Sequence, residues 1–332
     1  MHLNLLTSSI RSTFAVLLSC FFLAQLPPAQ KQGAGGPPSG AAIKSTAIVV
    51  NMYAIVEGRH GRLIPDLSKN DFELTEDGAE KKIDYFSRET NAPLSVGILV
   101  DTSASQDRLL ATEQSASKSF LGSVLRHDDQ AFVMHFDVDV ELLQDFTNAA
   151  EKLGRAIDTV KINQTGHSIV AEDAGVSRGG TRLYDAVYLA SNELMKARYG
   201  RKVLVLVTDG EDQGSKIDLQ GYVKAAEKAN VIVYSIVVSD ADLYALLDLK
   251  YHGDSSVRKL SRETGGRTIR VKSIQEIGSA FNQISQELHS QYLLGYSPTN
   301  VRHDGSFRRI HVKIRGREYM ARTRTGYYDS KD

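Results

Sequence analysis

The chain has 332 residues, with 40 Lys and Arg against 40 Asp and Glu, a single Cys and no Trp. Equal numbers of opposite charges exclude a protein held mainly by nucleic acid or by an anionic membrane surface, because both need a basic excess. One Cys excludes an internal disulfide framework and a multi-cysteine zinc site.

The N-terminus predicts an export signal. Arg11 precedes an apolar run over residues 14–26, which two prolines and then Ala29 bring to an end. Because this is the order of regions in a secretory signal, residues 1–29 are predicted to be a signal peptide and the protein to be secreted or periplasmic. A retained membrane anchor and lipidation of Cys20 are the alternatives, and only these would bring the protein to a membrane. The run is shorter than the roughly 20 apolar residues that cross a bilayer.

Two segments of different character come next. Residues 30–43 are rich in Gly, Pro and Ala without periodicity, which predicts a flexible linker. Residues 44–92 contain short runs of strand-forming residues and a turn sequence, Glu-Asp-Gly, at 76–78. They are predicted to form a small β unit of antiparallel strands joined by a hairpin.

From residue 93 the pattern changes to continuous apolar strands that alternate with helices. Such strands imply a parallel sheet covered on both faces. Residues 93–290 are therefore predicted to form an α/β domain with a doubly wound, mostly parallel sheet. The predicted strands cover 96–100, 131–136, 203–207 and 231–238, and the predicted helices cover 109–125, 149–160, 183–198, 218–230, 255–264 and 274–288.

Strand patterns return in residues 291–332. Because the strands before and after the α/β domain are each too few to be stable alone, they are predicted to pair in one small flanking antiparallel β subdomain. Residues 302–324 within this segment are rich in Arg and Lys. They are predicted to form a solvated edge that discourages aggregation, with a dock for an acidic envelope polymer or protein as the alternative.

Oxygen-bearing side chains occur at three places in the predicted α/β domain. Asp101, Ser103 and Ser105 follow the first apolar strand, Thr181 follows two glycines just before a helix, and Asp209 ends a later strand. Open α/β sheets bind ligands at the carboxyl ends of their strands, so we expect these five residues to converge. Hard oxygen donors suit Mg²⁺ or a similar divalent cation.

These motifs resemble the metal-ion-dependent adhesion site of the von Willebrand factor type A domain, over about residues 93–290. The family pattern is Asp-x-Ser-x-Ser, then a distant Thr, then a distant Asp before Gly, and every part of it is present here. The flanking sequences at 71–78 and 292–296 are similar to a secreted group of such proteins in acidobacteria.

The resemblance implies an exported adhesion module. Its Ser and Thr hydroxyls would bind Mg²⁺, with Mn²⁺ and Ca²⁺ as alternatives, and its Asp carboxylates would hold the ion largely through water. An Asp or Glu carboxylate of a protein partner would complete the coordination; no nucleic acid and no small-molecule substrate is expected. The implied metal ligands are Asp101, Ser103, Ser105, Thr181 and Asp209.

Two other functions stay open at this point. A structural envelope protein or assembly factor could use the fold without metal, and a metal-dependent hydrolase could use the same cation. The sequence contains no Gly-x-Ser-x-Gly elbow, phosphate-binding loop or dinucleotide fingerprint. We therefore expect that the protein is not an enzyme.

Several neighbouring residues have simpler interpretations than metal binding. Ser103 or Ser105 could cap the helix that follows. Asp185 is predicted to orient Thr181 or to cap its helix, whereas Asp212 is predicted, with Glu211, to be a solvated loop charge.

Two further segments border the predicted site. Asp137, Asp139 and Glu141 alternate near a strand end and are predicted to lie on an exposed face. Residues 162–178 form a polar, Gly-punctuated connection, predicted to be a loop that contacts the partner, with disorder as the alternative.

Overall fold

A computed structural model of the protein describes residues 49–88, 91–163, 180–238, 254–299 and 302–329. They all belong to one compact unit, residues 47–332. The predicted signal peptide, the predicted linker and residues 164–178 of the predicted partner-contacting loop lie outside the described residues. No helix in the described ranges has both the length and the apolar character needed to cross a membrane.

The described secondary structure consists of strands, α-helices, one π-helical segment and a few 3₁₀ turns of three residues each. The strands are β1 (Val50–Glu57), β2 (Phe72–Glu76), β3 (Ala79–Lys81), β4 (Tyr85–Ser87), β5 (Leu94–Asp101), β6 (Gln130–Phe136), β7 (Val140–Thr147), β8 (Arg201–Thr208), β9 (Ile232–Val238), β10 (Thr268–Val271), β11 (Tyr292–Tyr296), β12 (Phe307–Ile314), β13 (Met320–Arg322) and β14 (Gly326–Tyr328). The helices are α1 (Leu110–Val124), α2 (Ala150–Thr159), α3 (Leu183–Leu189), α4 (Leu219–Lys228), α5 (Asp254–Thr264) and α6 (Ile277–His289), and the π-helical segment Ala190–Met195 continues α3.

A six-stranded sheet lies at the centre, in the order β10-β9-β8-β5-β6-β7. Its neighbouring strands run parallel except β6 and β7, which are antiparallel. Every residue of β5, β8 and β9 is buried, because helices cover both faces of the sheet. Helices α1, α2 and α6 contribute to the core on one face, and α3, α4 and α5 to the core on the other. The predicted doubly wound α/β fold is confirmed.

The central sheet is larger than the sequence pattern indicated. Strand β7 occupies the segment that was predicted only as a strand end, and β10 was not predicted at all. The residues of β7 are exposed or half-buried throughout, so they lack the continuous apolar run of a central strand. The predicted helix over 183–198 is confirmed in its first half, after which the backbone continues as the π-helical segment.

Two four-stranded sheets flank the α/β domain, and each combines strands from both ends of the described chain. One has the order β13-β1-β11-β4 and the other β14-β12-β2-β3. All pairs in them are antiparallel. Apolar residues of β1, β2, β11 and β12 bury one common core, which we call the flanking core. The division of the chain at 44–92, 93–290 and 291–332 stays a prediction.

Strand β1 contributes to two cores because its side chains alternate between opposite faces. Met52, Ala54 and Val56 belong to the flanking core. Ile55 belongs to the core of the α/β domain, with Tyr53 packed against it. The alternation of apolar residues along β1 therefore joins the flanking sheets to the α/β domain.

Charged side chains also join the two parts. Arg322 of β13 donates to Glu57 of β1 at 3.1 Å and to Glu287 of α6 at 2.5 Å. Arg267 lies 2.9 Å from Glu287 and also pairs with Glu57. We call these four residues the junction cluster. The Arg322 side chain is thus largely buried and forms ion pairs with Glu57 and Glu287. The prediction of a solvated edge is wrong for this residue, because its strand packs against the α/β domain instead of facing water.

Candidate metal centre

Asp101 ends β5 and Asp209 follows β8, and these strands are parallel neighbours in the central sheet. Val100 of β5 pairs with Val207 of β8, so Asp101 lies beside Thr208. The Thr208 hydroxyl donates to Asp101 Oδ2 at 2.6 Å. On its other oxygen, Asp101 accepts from the Ser103 backbone N–H at 2.9 Å. The Asp101 carboxylate is fully buried and fixed on both oxygens.

The two serines connect Asp101 to Asp209. The hydroxyls of Ser103 and Ser105 lie 3.1 Å apart, and the Ser105 hydroxyl donates to Asp209 Oδ2 at 2.6 Å. Four of the five predicted ligands therefore form one chain of hydrogen bonds at the carboxyl edge of the sheet. The predicted alternative of helix capping is not observed, because neither the short 3₁₀ turn after Ser103 nor α1 has a side-chain cap.

Thr181 reaches the same region through the backbone. Its carbonyl accepts from the N–H of Gln213 at 2.9 Å, in the loop that also carries Asp209. The preceding residue, Gly180, packs so tightly here that a Cβ at its position would lie 2.1 Å from the Gln213 carbonyl oxygen. The small residue before Thr181 thus brings its loop against the loop after β8.

Hydrogen bonds to α3 hold the loop after β8 in place. Asp185 accepts from the N–H groups of Lys216 and Ile217, both at 3.0 Å. Asp212 accepts from the N–H of Tyr184 at 3.0 Å and from the Ser215 hydroxyl at 2.6 Å. The prediction of a solvated charge is wrong for Asp212, since it caps the first turn of α3.

A third strand end contributes Asp137. Asp137 follows β6 and is buried, and it accepts from the hydroxyl of Thr102 at 2.8 Å. The predicted exposed face is therefore wrong for Asp137, although the side chains of Asp139 and Glu141 are exposed. Asp137 fixes the backbone between Asp101 and Ser103 through the Thr102 side chain.

Negative charge is concentrated in this site. Burial, and then the nearby Asp209 carboxylate, raise the pKa of Asp101 to about 7. In the described part of the chain no group of three or more His, Cys, Asp or Glu side chains is arranged to hold a metal. The candidate centre instead combines two carboxylates with the hydroxyls of Ser103, Ser105 and Thr208, whereas Thr181 is placed there only through its backbone.

Two buried polar residues of the α/β domain were not predicted from the sequence. Thr208 is buried and holds Asp101, and Glu113 is a completely buried carboxyl on the first turn of α1. Thr208 precedes Asp209 but gives no sequence signal of its own. Glu113 could have been noticed, because it continues the helical spacing of the buried residues 116, 117, 120, 121 and 124.

Comparison with known proteins gives a family and several similar folds. The family model of the von Willebrand factor type A domain matches residues 95–283. A von Willebrand factor type A protein from Catenulispora acidiphila is 11% identical, with a TM-score of 0.49 over 77% of this chain and 73% of that one. Proximal thread matrix protein 1 from the mussel byssus, with a zinc-occupied MIDAS motif, is 14% identical, with a TM-score of 0.49 over 64% of this chain and 50% of that one. BatB from Bacteroides thetaiotaomicron is 18% identical, with a TM-score of 0.43 over 59% of this chain and 97% of that one. The search of curated proteins gave no match.

Proposed function

Because the chain belongs to the von Willebrand factor type A domain family, whose members commonly mediate adhesion between proteins, we propose that it is an exported module that binds a protein partner through a divalent cation. The cation is Mg²⁺ or an ion of similar chemistry, and a carboxylate of the partner completes its coordination. The proposed ligands are Asp101, Ser103, Ser105, Thr181 and Asp209.

The observation that carries this proposal is the chain of hydrogen bonds from Asp101 through Ser103 and Ser105 to Asp209. It brings oxygen atoms from two strand ends together at one edge of the sheet. Oxygen donors of this kind fit Mg²⁺, Mn²⁺ or Ca²⁺. The crowding of Asp101 and Asp209 also favours a cation, because positive charge between two buried carboxylates offsets their repulsion.

The residues around the site have distinct tasks in this proposal. A bound cation supplies an open position for a partner carboxylate. Thr208 and the Ser103 N–H fix the Asp101 carboxylate, and Asp137 fixes the adjacent Thr102. Asp185 and Asp212 hold the loop that carries Asp209 against α3. Hydrogen bonds that already order these side chains would lower the cost of cation binding.

Mg²⁺ titration calorimetry on the wild type and on Ser105→Ala tests the metal site. Ser105→Ala removes the hydroxyl that contacts both Ser103 and Asp209, so we expect Mg²⁺ affinity to fall by about 10-fold or more. Asp139→Ala is the matched control, because the Asp139 side chain is exposed and lies outside the hydrogen-bond chain. Failure of the wild type to bind Mg²⁺, Mn²⁺ or Ca²⁺ would contradict the proposal.

A cross-linked pull-down from cell-envelope extract tests the partner. We expect the wild type and Asp139→Ala to capture the same protein in Mg²⁺, and both EDTA and Ser105→Ala to abolish capture. Identical capture with and without EDTA would mean that the partner binds without a metal bridge.

A further inference from the structure

Glu113 occupies an unusual position on α1. The buried face of this helix is otherwise made of small or apolar residues, apart from Ser117. Glu113 stands at the end of that face nearest the Ser103–Ser105 turn and has no exposed surface. Carboxylates are rarely buried without a partner because the loss of hydration is costly.

Neither oxygen of Glu113 has a hydrogen-bond partner among the described residues. Gln106 Oε1 and the Ser117 hydroxyl, which precede and follow Glu113 along this part of the chain, also lack partners there. Buried polar atoms without partners are uncommon in native proteins and call for an explanation. The carboxylate and the amide oxygen can only accept, so a source of positive charge or of protons would satisfy them.

Hydrogen bonds connect Glu113 to the proposed site. The Gln106 side-chain amide donates to the Ser105 hydroxyl at 3.4 Å. The Gln106 backbone carbonyl accepts from the Leu109 N–H at 2.9 Å, and the Leu109 carbonyl accepts from the Glu113 N–H at 3.0 Å.

After burial, the carboxylates of Asp101 and Asp209 are the groups that raise the pKa of Glu113 well above its usual range. Both of them are proposed metal ligands. Glu113 therefore lies within electrostatic reach of the place where a cation would be held, in an interior where charges interact more strongly than in water.

We propose that Glu113 is a third carboxylate of the cation site. This carboxylate lies behind those of Asp101 and Asp209 and tightens cation binding through its negative charge. This inference rests on the proposed function. Without the cation, a buried carboxyl with no partner costs stability; with the cation, its charge is offset by an ion that the neighbouring carboxylates hold. Loss of the charge should therefore weaken cation binding while leaving the metal-free protein as stable or more stable.

Glu113→Gln tests the inference, because it removes the charge and keeps the shape. Mg²⁺ titration calorimetry should show an increase of about 10-fold in Kd, the size typical of groups that support metal ligands from outside. Thermal unfolding in EDTA should give a Tm equal to or above that of the wild type. Glu113→Asp, which keeps the charge, should retain most of the Mg²⁺ affinity.

Glu227→Gln is the matched control. Glu227, which is only partly buried, is another carboxyl with a raised pKa, but the charges that act on it are Glu263, Lys259 and Lys224, none of which belongs to the site. The Kd of the Glu227→Gln variant for Mg²⁺ should equal that of the wild type. If Glu113→Gln also binds Mg²⁺ like the wild type, Glu113 is only a core carboxyl and the inference is wrong. If the wild type itself binds no divalent cation, the proposed function and this inference fail together.

Discussion

Gly180 stands at the closest contact between the loops that carry Thr181 and Asp209. A Cβ there would meet the backbone carbonyl of Gln213, which cannot turn aside as a side chain could. For Gly214, on the opposite side of the contact, the nearest atom to its own hypothetical Cβ among the described residues, apart from its chain neighbours, lies 3.9 Å away. The two glycines are therefore not equivalent, although both lie beside the site.

Gly180→Ala should push the two loops apart. We expect a loss of about 1–3 kcal/mol in the free energy of unfolding, as for other substitutions that overpack a tight contact, and weaker Mg²⁺ binding. Urea denaturation and titration calorimetry measure the two effects. Gly214→Ala is the control and should change both little; equal effects of the two substitutions would show that the close contact is unimportant.

At the scale of single residues, the sequence predicted the hydroxyls and carboxylates of the site but not the groups that support them. Asp101, Ser103, Ser105 and Asp209 could be placed together because each lies at or just after the end of an apolar strand. The role of Thr208 depends on the register between β5 and β8, and a register cannot be read from one strand alone.

At the scale of elements, burial decided which segments could be recognised. Strand β8 contains five consecutive apolar residues and is buried along its whole length, so its sequence alone identified it. Strand β10 has only four residues, and β7 lies at an edge where its side chains alternate irregularly between water and protein. Both were missed because edge strands need no apolar run.

Helix α4 carries a carboxyl that should make stability depend on pH. Burial, and then the charge of Glu263, raise the pKa of Glu227 to about 7 in the folded protein, from 4.5. Between these two values the folded state binds more protons than the unfolded state, so this group makes stability fall as pH rises from about 4.5 to 7.

Glu227→Gln should remove this group's contribution to the loss of stability as pH rises. We expect the variant to be more stable than the wild type at pH 8, by about 1 kcal/mol after allowance for partial exposure, and the difference to shrink towards pH 4.5. Thermal unfolding at the two pH values measures it. Glu151→Gln, on an exposed site of α2, serves as the control. A difference that is the same at both pH values would contradict the ionisation of Glu227 as its cause.

At the scale of the whole molecule, the junction cluster links the flanking sheets to the α/β domain. Glu57 and Arg322 belong to the flanking strands, Glu287 belongs to α6, and Arg267 precedes β10. The Glu287 side chain is 1% exposed and lies between two arginines. Buried ions of this kind depend on their partners, because removal of one leaves the other charge without compensation.

Glu287→Gln should therefore destabilise the protein by about 3 kcal/mol or more, measured as the loss in the free energy of unfolding in urea. Glu151→Gln again provides a comparison, because the Glu151–Arg155 pair is exposed and such pairs contribute about 0.5 kcal/mol or less. Similar losses in the two variants would mean that the junction cluster contributes no more than a surface pair.

The pairing of strands from the two ends of the described chain also constrains how the molecule can fold. Val50 pairs with Tyr296, and Glu76 pairs with Ile310, so these contacts join residues separated by most of the chain. Contacts of such high contact order form slowly, because closing a long loop costs entropy before the contact rewards it. During synthesis, β2 can pair at once with β3, but β1 has no partner strand until β11 and β13 follow. The apolar residues of β1 and β2 stay without a complete core for that interval. The order of the strands along the chain therefore makes the flanking sheets the last part of the protein able to assemble.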